Sequence, residues 1–200
     1  MLAVILAWIA VILLLATSAG LILNSDWRLD LGLLAAQYLG AFVLAAQHWP
    51  VGMAAVKLVT GWMATAAIGM TLNAFTSHEE RPEQFWPRGR AFRLFMVGMV
   101  VVLAAAAAPR VETTIPGIGL PVVAGGILLI GNGLLHLGTR SEVTRVIYAL
   151  LTILAGFEII YAGVESSILV AALLAVINLG LGLVGAYLIN AELSPEEEAA

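Results

Sequence analysis

Seven long apolar stretches occupy almost all of this 200-residue chain, and the basic residues between them fall almost entirely on one side. An α-helix needs about 20 apolar residues to cross a bilayer, and inside lipid a helix can satisfy every backbone group by itself. The pattern dictates an all-α fold: a polytopic membrane helix bundle of about seven transmembrane helices. The spacing predicts helices at 2–23, 29–47, 51–74, 91–108, 120–138, 146–164 and 168–190. Polar breaks separate them: Asn24-Ser25-Asp26-Trp27-Arg28, the tight turn His48-Trp49-Pro50, a long loop from Thr76 to Arg90, a loop from Pro109 to Gly119, and the short turns 139–142 and 165–167. Proline suits the first turn of a helix, so Pro50 marks a helix start. The fourth span is the shortest, and Arg93 near its start has to snorkel toward an interface.

Charge sets the orientation. Arg28, Arg81, Arg88, Arg90, Arg93, Arg140 and Arg145 lie on one side of the spans, Arg110 lies on the other, and Lys57 lies within a span. The positive-inside rule places the N-terminus outside and the acidic tail 191–200 in the cytoplasm, as in a bacterial or archaeal inner-membrane protein. The segment Glu79 to Arg93, with Phe85 and Trp86, reads as a solvated cytoplasmic loop with aromatic anchors or as a short amphipathic element along the interface. At 62% hydrophobic and 11% charged the chain is too apolar for a soluble domain, and without a basic stripe it offers nothing to nucleic acid. It has no cysteine, and His48, His78 and His136 stand on different elements, so no metal site and no cofactor is expected.

The chain is a single transmembrane domain, 1–190, with an internal repeat. A shift of 117 residues lays Arg28 on Arg145 and the turn 48–50 on 165–167. Repeat one covers 2–74 and repeat two 120–190. The odd connecting helix, 91–108, gives both three-helix units the same orientation, so they are parallel repeats, and sites in repeat-built transporters lie between the repeats.

Two charges stand deep in apolar stretches. A charge at a helix centre costs about 2.5–3.5 kcal/mol even on insertion scales, which makes Glu158 and Lys57 functional candidates. Lys57 lies seven residues after Pro50 and Glu158 seven before Glu165, both at the outer boundary. Both are thus about 10 Å deep from the same face, and a pair between them costs far less than two isolated charges. Gln37, Asn132 and Asn178 lie nearer the midplane, where amides usually join helices by hydrogen bonds. His48 and His136, near helix ends, suit the interfaces. Glycines 125, 126, 131 and 133 in the fifth span, and 180, 182 and 185 in the seventh, allow close helix approach.

Thr144 to Tyr187 resembles the small K (4L-type) subunit of respiratory complex I, whose second helix carries a membrane glutamate in a segment like Ala155-Gly156-Phe157-Glu158-Ile159-Ile160. The doubled layout resembles the E-type (HyfE-like) membrane subunit of energy-converting group 4 hydrogenases and formate hydrogenlyases, in which two K-like units share one chain. Ser25-Asp26-Trp27-Arg28-Leu29 leading into Ala36-Gln37-Tyr38, and Lys57 in the third helix, look like the first such unit. The chain departs from the pattern in the seventh helix, where Asn178 stands in place of a second membrane glutamate, and in the first unit, which carries Gln37 and Lys57 without an acid. The resemblance implies a non-catalytic membrane subunit of a complex-I-like or hydrogenase-like ion-translocating oxidoreductase. It would lie beside larger antiporter-like membrane subunits and contribute to proton or sodium movement. Glu158 would carry the ion and Lys57 tune its charge, while Gln37, Asn178 and Asn132 would supply polar groups along the path. The alternatives are a stand-alone small transporter or channel, and a structural or assembly subunit. No nucleophile–base pair, phosphate loop or metal signature points to chemistry within the chain.

Overall fold

Each apolar stretch is a helix in the computed structural model, which describes residues 1–75, 89–139 and 142–194. The helices are α1 (Leu2–Leu23), α2 (Trp27–Ala45), α3 (Val51–Ala74), α4 (Arg90–Thr114), α5 (Leu120–Thr139), α6 (Val143–Val164) and α7 (Ile168–Leu193). All seven are long and apolar enough to span a bilayer, and the chain is a multi-pass membrane protein. The expected cytoplasmic loop, with Arg81, Phe85, Trp86 and Arg88, lies outside the described residues, as do Arg140 and the tail 195–200.

The local chemistry explains the boundaries. Asp26 caps α2, its carboxylate accepting from the Arg28 amide at 2.9 Å. Pro50 precedes α3, and its carbonyl accepts from the amides of Met53 and Ala54. Gly117 and Gly119 take positive φ, a conformation glycine adopts without penalty, and turn the chain into α5. One boundary differs from the sequence expectation. The connecting helix does not stop at 108 but runs through Pro109 to Thr114, which makes it one of the longer helices. A proline removes one intrahelical donor but does not forbid the next turn. Residues 109 and 110 are exposed, and Thr113 and Thr114 donate back to the Arg110 carbonyl at 2.8 and 2.9 Å. Arg93 is anchored as well, donating from Nη1 to the Ile22 carbonyl at 3.1 Å.

Shifting α1, α2 and α3 by 117 residues gives 119–140, 144–162 and 168–191, within three residues of the observed bounds of α5, α6 and α7. Each helix packs on its counterpart: α1 on α5, α2 on α6 and α3 on α7. Counterparts point the same way. Trp49, in the turn after α2, donates to the carbonyl of Glu165, in the turn after α6, while Asp30 and Arg145, near the starts of α2 and α6, form an ion pair. Like packing on like with equal direction is the geometry of a two-fold axis running along the helices. These contacts define a tryptophan end and an arginine end.

α6 buries 56% of its most apolar stretch and α4 only 17%, so α6 lies inside and α4 at the periphery, against α5 and α1. The α5–α6 contact is the most extensive because Gly126 and Gly133 present bare backbone to α6. A Cβ on Gly126 would lie 3.0 Å from the Gly156 carbonyl, and one on Gly133 3.0 Å from that of Ala149. Leu94, Val102 and Leu103 on α4, and Leu169, Leu173 and Val176 on α7, remain exposed, as lipid-facing side chains should.

Candidate functional site: a buried polar column between the two units

Lys57 of α3 and Glu158 of α6 form an ion pair, with only 4% of either side chain exposed. Beyond each other, the Lys57 ammonium and Glu158 Oε2 have no hydrogen-bond partner among the described residues. The pair lines a small cleft with Trp49, Met53, Val56 and Leu174, on the side of the bundle toward the tryptophan end. Equal depth in the sequence predicted this meeting, and the contact spans the two units.

From that pair a polar column continues toward the arginine end. The Lys57 ammonium stands 5.7 Å over the ring of Tyr38 on α2, a cation–π distance. The Tyr38 hydroxyl donates to Asn178 Oδ1 on α7 at 2.8 Å. Beside Tyr38, Gln37 donates from Nε2 to Thr152 Oγ1 on α6 at 3.2 Å. Tyr148, wholly buried one turn earlier on α6, leads to the ion pair of Arg145 and Asp30. Arg145 and Glu158 are 13 residues apart on one helix, so the column is about 20 Å long. Gln37 Oε1, Asn178 Nδ2 and the Tyr148 hydroxyl have no hydrogen-bond partner among the described residues, although all three are buried. Buried polar atoms of this kind are the usual partners of internal water.

Glu158, Lys57 and, through Tyr38, Asn178 are thus brought together, while Gln37 reaches Thr152 further along α6. Asn132 is not part of this set. It donates from Nδ2 to Ser18 Oγ at 2.8 Å and joins α5 to α1 in a separate seam. All three amides join helices, as amides in apolar spans commonly do. His48 is half-buried, with Nε2 3.2 Å from the Gly117 carbonyl. His136, placed by the sequence at an interface, is instead buried one turn after Asn132, because α5 is enclosed by α1, α4 and α6 along its length.

Sequence reasoning missed one end of the column. The first unit does contain a buried acid, Asp30, with no exposed surface. Asp30 lies three residues into α2 and Arg145 two residues into α6, at nearly equal depth from one end. The depth argument that joined Lys57 to Glu158 would have joined these two as well, but charges so near a helix start read as solvated. Tyr38 gave no such signal, since a tyrosine in an apolar helix reads as packing. Among the described residues no three His, Asp or Glu side chains converge to hold a metal ion. No family model, curated protein sequence or solved structure matches the chain.

Proposed function

We propose that the chain is a non-catalytic membrane subunit of a redox-driven, ion-translocating assembly of the complex-I or hydrogenase type. In this reading the column between its two units carries protons or sodium ions, Glu158 is the carrier and Lys57 its charge modulator. The redox chemistry belongs to partner subunits, and the exposed apolar faces meet lipid and larger antiporter-like membrane subunits. The N-terminus lies outside and the arginine end faces the cytoplasm, as the basic residues require.

The observation that carries this reading is the buried Lys57–Glu158 pair. The repeat supplies a control for it. Under the 117-residue shift Lys57 corresponds to Leu174 and Glu158 to Ala41, both buried and apolar. Neither counterpart carries a charge, and Leu174 itself lines the cleft beside the pair. Buried ion pairs commonly stabilise no better than apolar residues of similar volume. A buried pair whose counterparts in the repeat are both apolar supports a functional role, and Tyr38, Asn178, Gln37 and Thr152 supply a continuation.

Two measurements test the proposal. Purification in mild detergent through a tag on this chain is expected to bring down a larger multi-span partner. Ion flux through the purified assembly in liposomes is expected to fail in Glu158→Gln. A chain that purifies alone, and that moves an ion by itself in liposomes, would instead be a stand-alone transporter.

A further inference from the structure

We propose that the arginine end carries a binding groove for one anionic phospholipid where α1, α2 and α4 meet. Arg90 holds the phosphate, and the apolar wall below it holds the start of an acyl chain. The proposal goes beyond the ion-translocating reading and does not depend on it.

The groove has a volume of about 430 Å³ and is lined by Gly20, Leu23 and Asn24 at the end of α1, Leu29 and Leu33 of α2, and Arg90 at the start of α4. Clefts that hold small ligands commonly span about 300–1,000 Å³. The way helix ends are satisfied builds this one. The last carbonyls of a helix have no partner within it. Arg93 donates to one of them, that of Ile22, at 3.1 Å and so ties α4 to α1. Arg90, one turn earlier on α4, is left on the open side, exposed and without an ion pair among the described residues. Asn24 fixes the top of the wall, donating from Nδ2 to the Asp26 carbonyl and to Asp30 Oδ1. Gly20 lets Leu33 lean against α1, since a Cβ there would lie 2.8 Å from Leu33 Cδ1. Leu29 and Leu33, one turn apart, give the apolar wall a depth of about 6 Å.

Charge selects the occupant. Among the described residues Arg90 is the one charge in the lining. The acids nearby are turned to other groups: Asp26 accepts from the Arg28 amide, and Asp30 pairs with Arg145. A zwitterionic headgroup would bring an ammonium with no carboxylate in the lining to meet it, whereas a net negative one brings only what Arg90 can bind. A guanidinium takes phosphate through two parallel hydrogen bonds. Arg90 stands at the first residue of a spanning helix, which is headgroup level, and basic pockets between spans hold anionic headgroups in this way. Leu23, Leu29 and Leu33 below it suit hydrocarbon, so the phosphate belongs to a lipid.

The test uses the full chain, purified through a tag in mild detergent with whatever accompanies it. Native mass spectrometry measures binding of added phosphatidylglycerol and of phosphatidylcholine with the same acyl chains. Wild type is expected to bind one phosphatidylglycerol several-fold more tightly than phosphatidylcholine. Arg90→Gln is expected to weaken phosphatidylglycerol about 5-fold, the worth of one basic residue at the headgroups, and to leave phosphatidylcholine unchanged. Arg90→Lys keeps the charge without the planar fork and should recover part of the loss. Leu29→Trp, at an exposed position in the groove wall, should weaken both lipids by filling the space. Arg28→Gln is the control. Arg28 is exposed at the same end, stacks on Trp27 of its own helix and does not line the groove, so its loss should change little. Equal losses in Arg28→Gln and Arg90→Gln would mean general attraction to a positive end and overturn the site. Equal binding of the two lipids by wild type would overturn the selectivity for an anion. Unchanged binding in Leu29→Trp would overturn the groove. A wild-type chain that takes up neither lipid has the groove filled by something else, such as its own segment 76–88, and that too overturns the proposal.

Discussion

Tyr38 of α2 donates its hydroxyl proton to Asn178 of α7 at 2.8 Å, while its ring lies against Gly61 of α3, in the space where a Cβ would stand. Under the 117-residue shift Gly61 and Asn178 are the same position in the two units. One aromatic side chain of the first unit is therefore held between the two copies of a single site. One copy gives it room and the other gives it an acceptor. This is how the repeat makes an asymmetric column from similar halves: Gln37 has Leu154 as its counterpart and Asp30 has Ile147, so these polar positions of the first unit are apolar in the second.

Gly61→Ala is expected to destabilise the protein by about 1–3 kcal/mol, the range for overpacking a filled interior. The added methyl group would meet the Tyr38 ring, which is fully buried and hydrogen-bonded at its far end. Gly52→Ala, in the same helix with nothing within 4 Å of the new Cβ, is the control and should be neutral or slightly stabilising. Thermal unfolding in detergent measures both. Equal midpoints for the two variants would mean that the ring is not confined there.

Tyr38→Phe keeps the ring and removes the donor. Hydrogen bonds between membrane helices average about 0.6 kcal/mol and reach about 1.7, so a loss within that range is expected. Asn178 Nδ2 has no partner among the described residues, so the substitution leaves the whole Asn178 amide without a protein partner. Asn178→Leu in the Tyr38→Phe background should then recover stability, since an apolar pair replaces two stranded polar groups. A double variant weaker than either single variant would contradict this, and would point to a second role for Asn178 in packing.

The orientation is testable because the chain contains no cysteine. Ser166 is exposed at the tryptophan end and Ser25 at the arginine end. In intact cells a membrane-impermeant maleimide should label Ser166→Cys and leave Ser25→Cys unlabelled until the cells are opened. The reverse pattern would invert the topology and place the Asp30–Arg145 pair toward the outside.

Most of the fold was legible because lipid leaves a chain few options. Uninterrupted apolar runs can only be spans, and the turns at 24–26 and 46–50 interrupt them sharply. Pro109 misled because a proline marks a helix end only where the following residues do not continue the helix, and Arg110 to Thr114 do. The Lys57–Glu158 pair was legible because both residues could be measured from fixed points, Pro50 and Glu165. Asp30–Arg145 was not, because nothing local separates Arg145 from Arg28, its counterpart under the shift. Arg28 is exposed and Arg145 buried, and the difference lies in what packs around them. Which polar groups share the column depends on helix rotation, and a tyrosine or threonine in a span carries no mark of the direction it faces.

The final prediction concerns the cost of separating Lys57 from Glu158. Each is the other's charge partner, and neither Lys57 Nζ nor Glu158 Oε2 has a further hydrogen-bond partner among the described residues. Glu158→Gln leaves a cation buried in the bundle, and Lys57→Met leaves an anion there. Removing one partner of a buried pair typically costs about 3–5 kcal/mol. Removing both charges together leaves no charge uncompensated, and the counterparts of the two positions in the repeat, Leu174 and Ala41, are themselves buried apolar residues. The double variant Lys57→Met with Glu158→Gln should therefore return to within about 1 kcal/mol of the parent. Denaturant unfolding in detergent gives the three differences, and their non-additivity measures the coupling. The same double variant, assembled and stable, is expected to lack ion flux. Recovered stability together with retained flux would reduce the pair to a structural lock, and stability losses that simply add would mean that the two charges do not depend on each other.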